Sequence, residues 1–438
     1  MVNEGQKTIT DLLIQDERIQ TIAPHISEPA DTIIDGSGRL LLPGVIDGQV
    51  HFREPGLTHK GNMYTESKAA VAGGVTSFID MPNTVPNVLD MDKLQEKYDI
   101  AAKQSLANFG FFLGVNGQNV DDILRLDTSG LLAVSDDGLY FTGKGNLLAD
   151  QPDIMQKLFA GCQTIIAIHA EREQLIEENE AHYRGLYGED VPVACHPLIR
   201  SERACYEASQ RAIALADAQH ARLHILHLTT EAETHLFRND IPLREKRITT
   251  EVCVQNLWFC DEDYARLGTR IKWNPAIKTA KDREGLLKAL LDDRIDLITT
   301  DHAPHLLSEK ERPYFQAMSG APMVQHALTV MLELHHRGQI TLEKIVEKMC
   351  HNPAVLYRIA DRGFIREGCY ADLVIVDPSR EWTVQKENVW YACGWSPLEG
   401  ETFHHSVTHT FVNGRPVFTD GTFDERWRGQ ALLKQQSG

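Results

Sequence analysis

Short apolar runs alternate with longer amphipathic segments through the middle of this 438-residue chain. Such runs are typical of buried parallel strands, and they predict eight strands, at residues 42–50, 76–81, 108–114, 131–135, 164–169, 222–227, 247–252 and 295–300. Between most of them lie segments with helical periodicity, such as Ser201–Ala216 and Asp282–Leu291. Eight alternating strand and helix units predict an α/β protein built as a (β/α)₈ TIM barrel.

The two ends of the chain have a different pattern, with short strands and turns in place of long helical segments. Asp35–Gly38 is a turn signal in the N-terminal part. In the C-terminal part, Ala371–Asp377 has the pattern of a strand, and Asn413-Gly414 predicts the turn of a β-hairpin. We therefore expect a small β domain formed from both termini, residues 1–44 plus 366–438, and a barrel domain over residues 45–365.

Charge and cysteine content narrow the classes of partner and compartment. The chain has 44 Lys and Arg against 62 Asp and Glu, a formal net charge of −18. This charge argues against binding to nucleic acid or to acidic membrane surfaces, whereas a small anionic substrate needs only a local arginine. The eight cysteines form no CxxC pair, the N-terminus lacks an apolar targeting core, and the sequence has no apolar run of membrane-spanning length. We expect a cytoplasmic protein with reduced thiols.

Five of the predicted strands end in residues of the types that bind metal ions. Barrel enzymes place their catalytic groups at the carboxyl ends of the strands, and the residues at these ends are Gln49 with His51, Asp136 with Asp137, His169, His227 and Asp301. Imidazole nitrogen and carboxylate oxygen are ligands of zinc. Each residue alone has a structural explanation, as a hydrogen-bonded histidine or a turn aspartate. Their coincidence at five strand ends favours a metal site.

Alternation along a strand predicts which side chains share a face. Gln49 and His51 are two residues apart and should point to the same side. His224 and His227 are three residues apart, so only one of them can point into the site, and we expect His227, at the strand's end.

Three segments resemble the dihydroorotases of the amidohydrolase superfamily, specifically the longer bacterial type. They are DGQVHFREPG at residues 47–56, MPNT at residues 81–84 and TDHAPHLLSEK at residues 300–310. The resemblance covers nearly the whole chain, and MPNT favours dihydroorotases over hydantoinases and allantoinases. It implies a zinc-dependent hydrolase of a cyclic amide, which interconverts N-carbamoyl-L-aspartate and dihydroorotate in pyrimidine biosynthesis.

The same resemblance implies a role for each matching residue. The metal ligands would be His51, Asp137, His169, His227 and Asp301, with Asp137 bridging two zinc ions. Asp301 would also move the proton during catalysis. The substrate carboxylate would be held by Arg53 and Asn83, with His305 near it, and Asn274 would contact the substrate ring.

The chain departs from the family pattern in two places. Gln49 stands where the first histidine of a His-x-His pair is expected, and residues 251–257 (EVCVQNL) replace a run that is often rich in histidine. A neutral amide oxygen is a weaker zinc ligand than imidazole. We therefore expect one or two zinc ions per chain, with the ion next to Gln49 bound weakly.

Two alternatives to a dihydroorotase stay open at this point. One is another cyclic amidohydrolase of the hydantoinase or allantoinase type, against which Arg53 and Asn83 argue. The other is a catalytically weak or silent partner of a carbamoyltransferase, against which the surviving metal ligands argue. Besides a small anionic substrate, the candidate partners are a second copy of the chain, in a homodimer, and a carbamoyltransferase.

Overall fold

The computed structural model describes residues 1–136 and 151–435. Eight strand positions form a barrel, and each corresponds to one predicted run. Their bounds are Val45–Val50, Val75–Asp80, Asn108–Phe111 continued by Leu113–Val115, Ala133–Asp136, Ile165–Ile168, Leu223–Ile225, Ile248–Cys253 and Leu297–Thr299. We number these barrel strands one to eight in chain order. The predicted (β/α)₈ barrel with a β domain from both termini is confirmed.

All neighbouring barrel strands are parallel, and the sheet closes between strands eight and one. Val50 forms a parallel bridge with His302, and the His51 backbone N–H donates to the His302 carbonyl at 2.8 Å. Strand three is interrupted at Phe112, where its recorded pairing changes from strand two, along Asn108–Phe111, to strand four, along Leu113–Val115. Closure brings the ends of strands one and eight side by side, although they are far apart in sequence.

Helices surround the barrel, and several begin at side-chain caps. Ser201 accepts from the Ala204 N–H, and Thr279 and Asp282 cap each other's backbone. The α-helices are Met63–Ala72, Met91–Gln104, Val120–Arg125, Pro152–Gly161, Glu173–Tyr187, His196–Ile199, Glu202–Gln219, Glu231–Thr234, Val254–Trp258, Tyr264–Leu267, Ala280–Leu291, Leu307–Lys310, Ala327–His336, Leu342–Val346 and Asn352–Leu356. Within the described ranges, no helix is long and apolar enough to cross a membrane.

The small β domain contains strands from both ends of the chain. Leu40–Pro43 pairs antiparallel with Leu373–Asp377, which pairs in turn with Ser406–Val412. The predicted hairpin is confirmed, because Asn413 and Gly414 adopt φ values of 50° and 74° between paired strands. The remaining short strands are Val2–Asn3, Gln6–Lys7, Asp11–Gln15, Arg18–Ala23, Trp382–Thr383, Thr402–Phe403, Arg415–Thr419 and Thr422–Phe423.

The C-terminal segment packs against the barrel as far as Gln435. The sequence of Leu432–Gly438 predicts a frayed tail, and for Leu432–Gln435 that prediction is wrong. The Leu432 N–H donates to the Phe109 carbonyl at 2.8 Å, and the Leu432 side chain is buried. The Gln435 N–H donates to the Arg358 carbonyl. The segment therefore covers the edge of strand three at the end of the barrel opposite the strand carboxyl ends.

Candidate active site

A small cavity opens at the carboxyl ends of the barrel strands. It is lined by His51, Asn83, His169, Asn274, Asp301, Ala303, Ser319 and Gly320. Five of these residues were predicted as site residues from the sequence: four follow the ends of different strands, and Asn274 lies in the connection between strands seven and eight. Parallel strands end at one rim of the barrel, which explains why distant segments meet there.

His51 lies between a carboxylate and an amide. Its Nδ1 is 2.8 Å from Asn83 Oδ1, and its Nε2 is 2.9 Å from Asp301 Oδ1. When the Nδ1–H donates to Asn83, Nε2 faces the Asp301 carboxylate with a lone pair. Such a contact needs a proton or a cation between the two atoms. His51 Nε2 and Asp301 Oδ1 therefore form a position at the cavity that is suited to a proton or a cation.

The backbone is strained where functional side chains leave the strands. Arg53, His227 and Asp301 adopt positive φ values of 70°, 38° and 44°, a conformation that costs energy for residues other than glycine. The turn at Asp301 is held by Asp47, which accepts from the Thr300 hydroxyl at 2.6 Å and from the Thr300 N–H at 3.2 Å. Burial raises the pKa of Asp47 to about 7.

His169 is held by a carboxylate that the sequence prediction did not select. Asp136 Oδ1 is 2.6 Å from His169 Nδ1, and both residues are buried. Burial lowers the pKa of His169, but the charge and hydrogen bond of Asp136 outweigh it and raise that pKa overall. Asp137, the predicted bridging ligand, lies outside the described residues. A carboxylate on the far nitrogen of a metal-binding histidine fixes the ring and makes it more basic.

His227 has the environment of an unsatisfied ligand. Its ring centroid is 5.0 Å from that of His169, and within residues 1–136 and 151–435 neither of its ring nitrogens has a hydrogen-bond partner. Burial, followed by the proximity of His169, lowers the pKa of His227 to about 3, so its ring is neutral. His224 instead bonds to Thr249 and Glu251 inside the barrel. The choice of His227 over His224 therefore agrees with the side-chain placement.

The residues present fit a divalent cation, although the described part of the chain does not form a complete site. In that part, no three His, Cys, Asp or Glu side chains converge as a ready metal site. A buried imidazole without partners is costly, and a cation would satisfy it. Neutral His227, His169 with its carboxylate, and the His51–Asp301 pair are donors of the types that zinc takes.

Arg53 lies behind the cavity and is almost fully buried. Its Nε donates to the Pro304 carbonyl at 3.0 Å, and its Nη2 is 3.1 Å from His305 Nε2. Burial lowers the pKa of Arg53 to about 10, so the guanidinium keeps its charge at neutral pH. Burial and Arg53 lower the pKa of His305 well below its usual value, so His305 is neutral and accepts from the guanidinium.

His305 does not line the cavity, and it is not a surface residue either. It is fully buried and supports Arg53 from behind. Its other nitrogen is 3.0 Å from Lys60 Nζ, and Lys60 forms an ion pair with Glu309 at 3.1 Å. Lys60 and Glu309 were missed by sequence reasoning. Glu309 lies inside the TDHAPHLLSEK segment at residues 300–310, and Lys60 lies four residues after the end of DGQVHFREPG.

Asn274 provides a hydrogen-bond acceptor at the cavity wall. Its Oδ1 is buried and has no hydrogen-bond partner among the residues that the structure describes. An amide oxygen in this state is suited to accept from an N–H group of a ligand. Its placement agrees with the predicted contact to a substrate ring.

Comparison with known proteins gives the same family. The model of the amidohydrolase family matches residues 40–417. A dihydroorotase of Geobacter metallireducens is 30% identical over 426 residues, which cover 95% of this chain and 96% of that protein. An allantoinase of Bacillus velezensis is 30% identical over 433 residues, which cover 96% and 92%. An L-hydantoinase (dihydropyrimidinase) from Arthrobacter aurescens has a TM-score of 0.88 at 25% identity, covering 97% of this chain and 96% of that one. The chain therefore belongs to the amidohydrolase family and is a hydrolase that acts on a cyclic amide.

Proposed function

We propose that the protein is a zinc-dependent dihydroorotase, which interconverts N-carbamoyl-L-aspartate and dihydroorotate. The observation that carries this proposal is the charged, buried guanidinium of Arg53, which bonds to the Pro304 carbonyl next to Ala303 of the cavity wall, together with the His51–Asp301 pair in that cavity. Dihydroorotate bears a carboxylate on its ring, whereas hydantoin and allantoin rings do not. A buried arginine is suited to that carboxylate, because its planar fork donates two parallel hydrogen bonds.

The residues that would hold the metal are His169 and His227, together with His51 and Asp301. When bound, a divalent cation supplies activation of water near neutral pH and polarisation of the scissile carbonyl. Asp301 would accept the proton of the attacking water and deliver it to the leaving ring nitrogen as the carbon–nitrogen bond breaks. The opposite sequence of proton transfers closes the ring. In this proposal, Asp301 would be the proton carrier and the four residues together would hold the cation.

Arg53, Asn83 and Asn274 would orient the ring. Asn83 lines the cavity next to His51, and its amide group would contact the substrate carboxylate together with Arg53. The Asn274 Oδ1, at the cavity wall, would accept from a ring N–H. Fixing a small ring at two points converts binding energy into rate, because the reacting atoms are held in place.

The same proposal includes a role in pyrimidine biosynthesis and a cytoplasmic location. It also includes a partner, which would be a second copy of the chain in a homodimer or a carbamoyltransferase.

A substrate panel tests the proposal against its main alternative. The allantoinase relative at 30% identity makes a neutral ring the competing substrate class. The zinc-loaded protein should hydrolyse dihydroorotate with a kcat/KM about 10–100-fold above that for dihydrouracil, hydantoin or allantoin, since a charge-assisted contact contributes about 1.5–3 kcal/mol. A higher kcat/KM for any of the neutral rings would overturn the assignment.

A further inference from the structure

The two departures of this chain from the family pattern meet inside the barrel. Gln49, on strand one, and Cys253, the last residue of strand seven, are both fully buried. The Cys253 thiol is 3.9 Å from Gln49 Oε1 and 3.5 Å from Thr299 Oγ1 of strand eight. Gln49 lies two residues before His51 on strand one. Its side chain thus extends across the barrel interior toward the neutral thiol of Cys253.

We propose that Gln49 is not a metal ligand, and that its contact with Cys253 closes the ligand position on strand one. The protein would then hold one divalent cation tightly, at His169 and His227, and a second one, at His51 and Asp301, more weakly. This inference rests on the proposed metal-dependent function and concerns how this particular chain binds the metal.

The orientation of the Gln49 amide supports the inference that Gln49 is not a metal ligand. Its oxygen, the only atom of the group that can bind a cation, accepts from the Cys253 thiol. Its Nε2 is buried and has no hydrogen-bond partner within the described ranges. The end of the amide that is not engaged by the thiol is therefore a donor, which repels a cation. With residue 49 closed in this way, the strand-one position keeps a single imidazole, that of His51.

The two candidate cation positions differ in their existing hydrogen bonds, and this difference supports the inference that one cation is bound more weakly. Both ring nitrogens of His227 lack partners in the part of the chain that the structure describes, so a cation there displaces no hydrogen bond. Both nitrogens of His51 are already paired, with Asn83 and with Asp301. A cation at His51 must therefore replace the contact to Asp301, and among residues 1–136 and 151–435 it finds one imidazole and one carboxylate there. Fewer nitrogen ligands and a hydrogen bond to replace both lower the affinity.

Metal content measured against a competing chelator tests this inference without any activity assay. The full-length protein is stripped of metal, loaded with zinc and dialysed against graded chelator, and zinc per chain is read by elemental analysis. The unaltered protein should lose one equivalent at low chelator concentration and keep the other to a concentration at least about 10–100 times higher, the range by which supporting groups change metal affinity. Two equivalents lost together would overturn the proposal, as would a protein that binds none.

Substitutions at residues 49 and 253 distinguish two possibilities: that Gln49 does not bind the cation at all, and that it is a weak ligand of the cation. Gln49→Met has similar length and no oxygen, so it should leave both affinities unchanged, whereas a drop in the weaker affinity would show that Gln49 does bind the cation. Gln49→His should raise the weaker affinity about 10–100-fold. If the Cys253 thiol keeps the new imidazole from reaching the cation, the double variant Gln49→His, Cys253→Ala removes that obstacle and should show the same increase in the weaker affinity. No change in either histidine variant would overturn the proposal.

The result is distinguishable from failure of the proposed function. One tight and one weak zinc in a protein that does not turn over dihydroorotate would contradict the dihydroorotase assignment and support this inference. Turnover of dihydroorotate by a protein with two equally tight zinc ions would support the dihydroorotase assignment and contradict this inference.

Discussion

At the scale of single residues, Asp301 carries the largest expected effect. Asp301→Asn keeps the shape of the side chain but removes the proton acceptor and the negative charge that faces His51 Nε2. We expect kcat for dihydroorotate to fall by about 10²–10⁴, the range for general acid–base groups, while the circular dichroism spectrum and melting temperature stay close to those of the unaltered protein. A variant with near-normal kcat would remove Asp301 from the mechanism.

Arg53→Lys tests recognition of the substrate carboxylate. Lysine keeps the positive charge but cannot reproduce the planar fork, nor the bond from Nε to the Pro304 carbonyl. We expect kcat/KM for dihydroorotate to fall about 10–100-fold, the equivalent of one or two charged hydrogen bonds. Hydrolysis of a neutral ring such as dihydrouracil is the control and should change much less. Equal losses for both substrates would mean that Arg53 supports the structure and does not recognise the carboxylate.

The residues of the site differ in how far the sequence could predict them. His51, His169, His227 and Asp301 were predictable, because ligand-type residues at strand ends converge in any barrel. The role of Asp136 was not, because two adjacent aspartates alternate in direction and their orientation depends on where strand four ends.

At the scale of secondary-structure elements, a pH-dependent contact joins the helices Glu202–Gln219 and Glu231–Thr234. Glu233 is buried and accepts from the Ser209 hydroxyl at 2.7 Å and from the Thr230 hydroxyl at 2.8 Å. Burial raises the pKa of Glu233 to about 7, from 4.5. The folded protein therefore keeps this proton up to a higher pH than the unfolded chain does. Glu233 should lower the free energy of unfolding as the pH rises from about 4.5 to 7.

Glu233→Gln should remove that dependence. The amide has the same length, and both hydroxyls can reverse their direction to satisfy it. Denaturant unfolding across this pH range should show a loss of stability that is smaller by up to about 3 kcal/mol in the variant, at about 1.4 kcal/mol per pKa unit. Glu231→Gln, on the same helix but with a side chain that is 34% exposed and paired with Lys281, is the matched control and should keep the decline. An identical decline in the Glu233→Gln variant would contradict the assignment.

The elements themselves were largely predictable, and the exceptions have physical causes. The eight strands were visible because strands covered on both faces are continuously apolar. The interruption of strand three at Phe112 was not, since Phe112 is as apolar as its neighbours and the change of pairing from strand two to strand four depends on the assembled barrel. The helices matched in position, and their ends shifted by a few residues to the capping residues.

At the scale of the whole molecule, the C-terminal segment contributes to stability. Leu432 is 5% exposed, whereas its neighbour Leu433 is 64% exposed. Leu432→Ala should lower the free energy of unfolding by about 2–5 kcal/mol through lost burial and a residual cavity. Leu433→Ala is a matched control and should change it by about 0.5 kcal/mol or less. Equal effects in thermal or denaturant unfolding would mean that the segment detaches in solution.

The polarity of that segment explains why it was misread from the sequence. Lys434 and Gln435 follow the two leucines and resemble a solvated tail, but Lys434 Nζ donates to the Leu131 carbonyl, and the backbone pairs with the barrel. Contacts of this kind depend on tertiary position, which no local pattern encodes.

The proposed activity of this barrel is the opening and closing of the dihydroorotate ring. The most direct measurement follows the zinc-loaded protein with dihydroorotate and, separately, with N-carbamoyl-L-aspartate, and quantifies both compounds over time by chromatography or NMR. We predict that both mixtures approach the same ratio of the two compounds, and that the Asp301→Asn protein does so about 10²–10⁴ times more slowly. A zinc-loaded protein that converts neither compound would contradict the account.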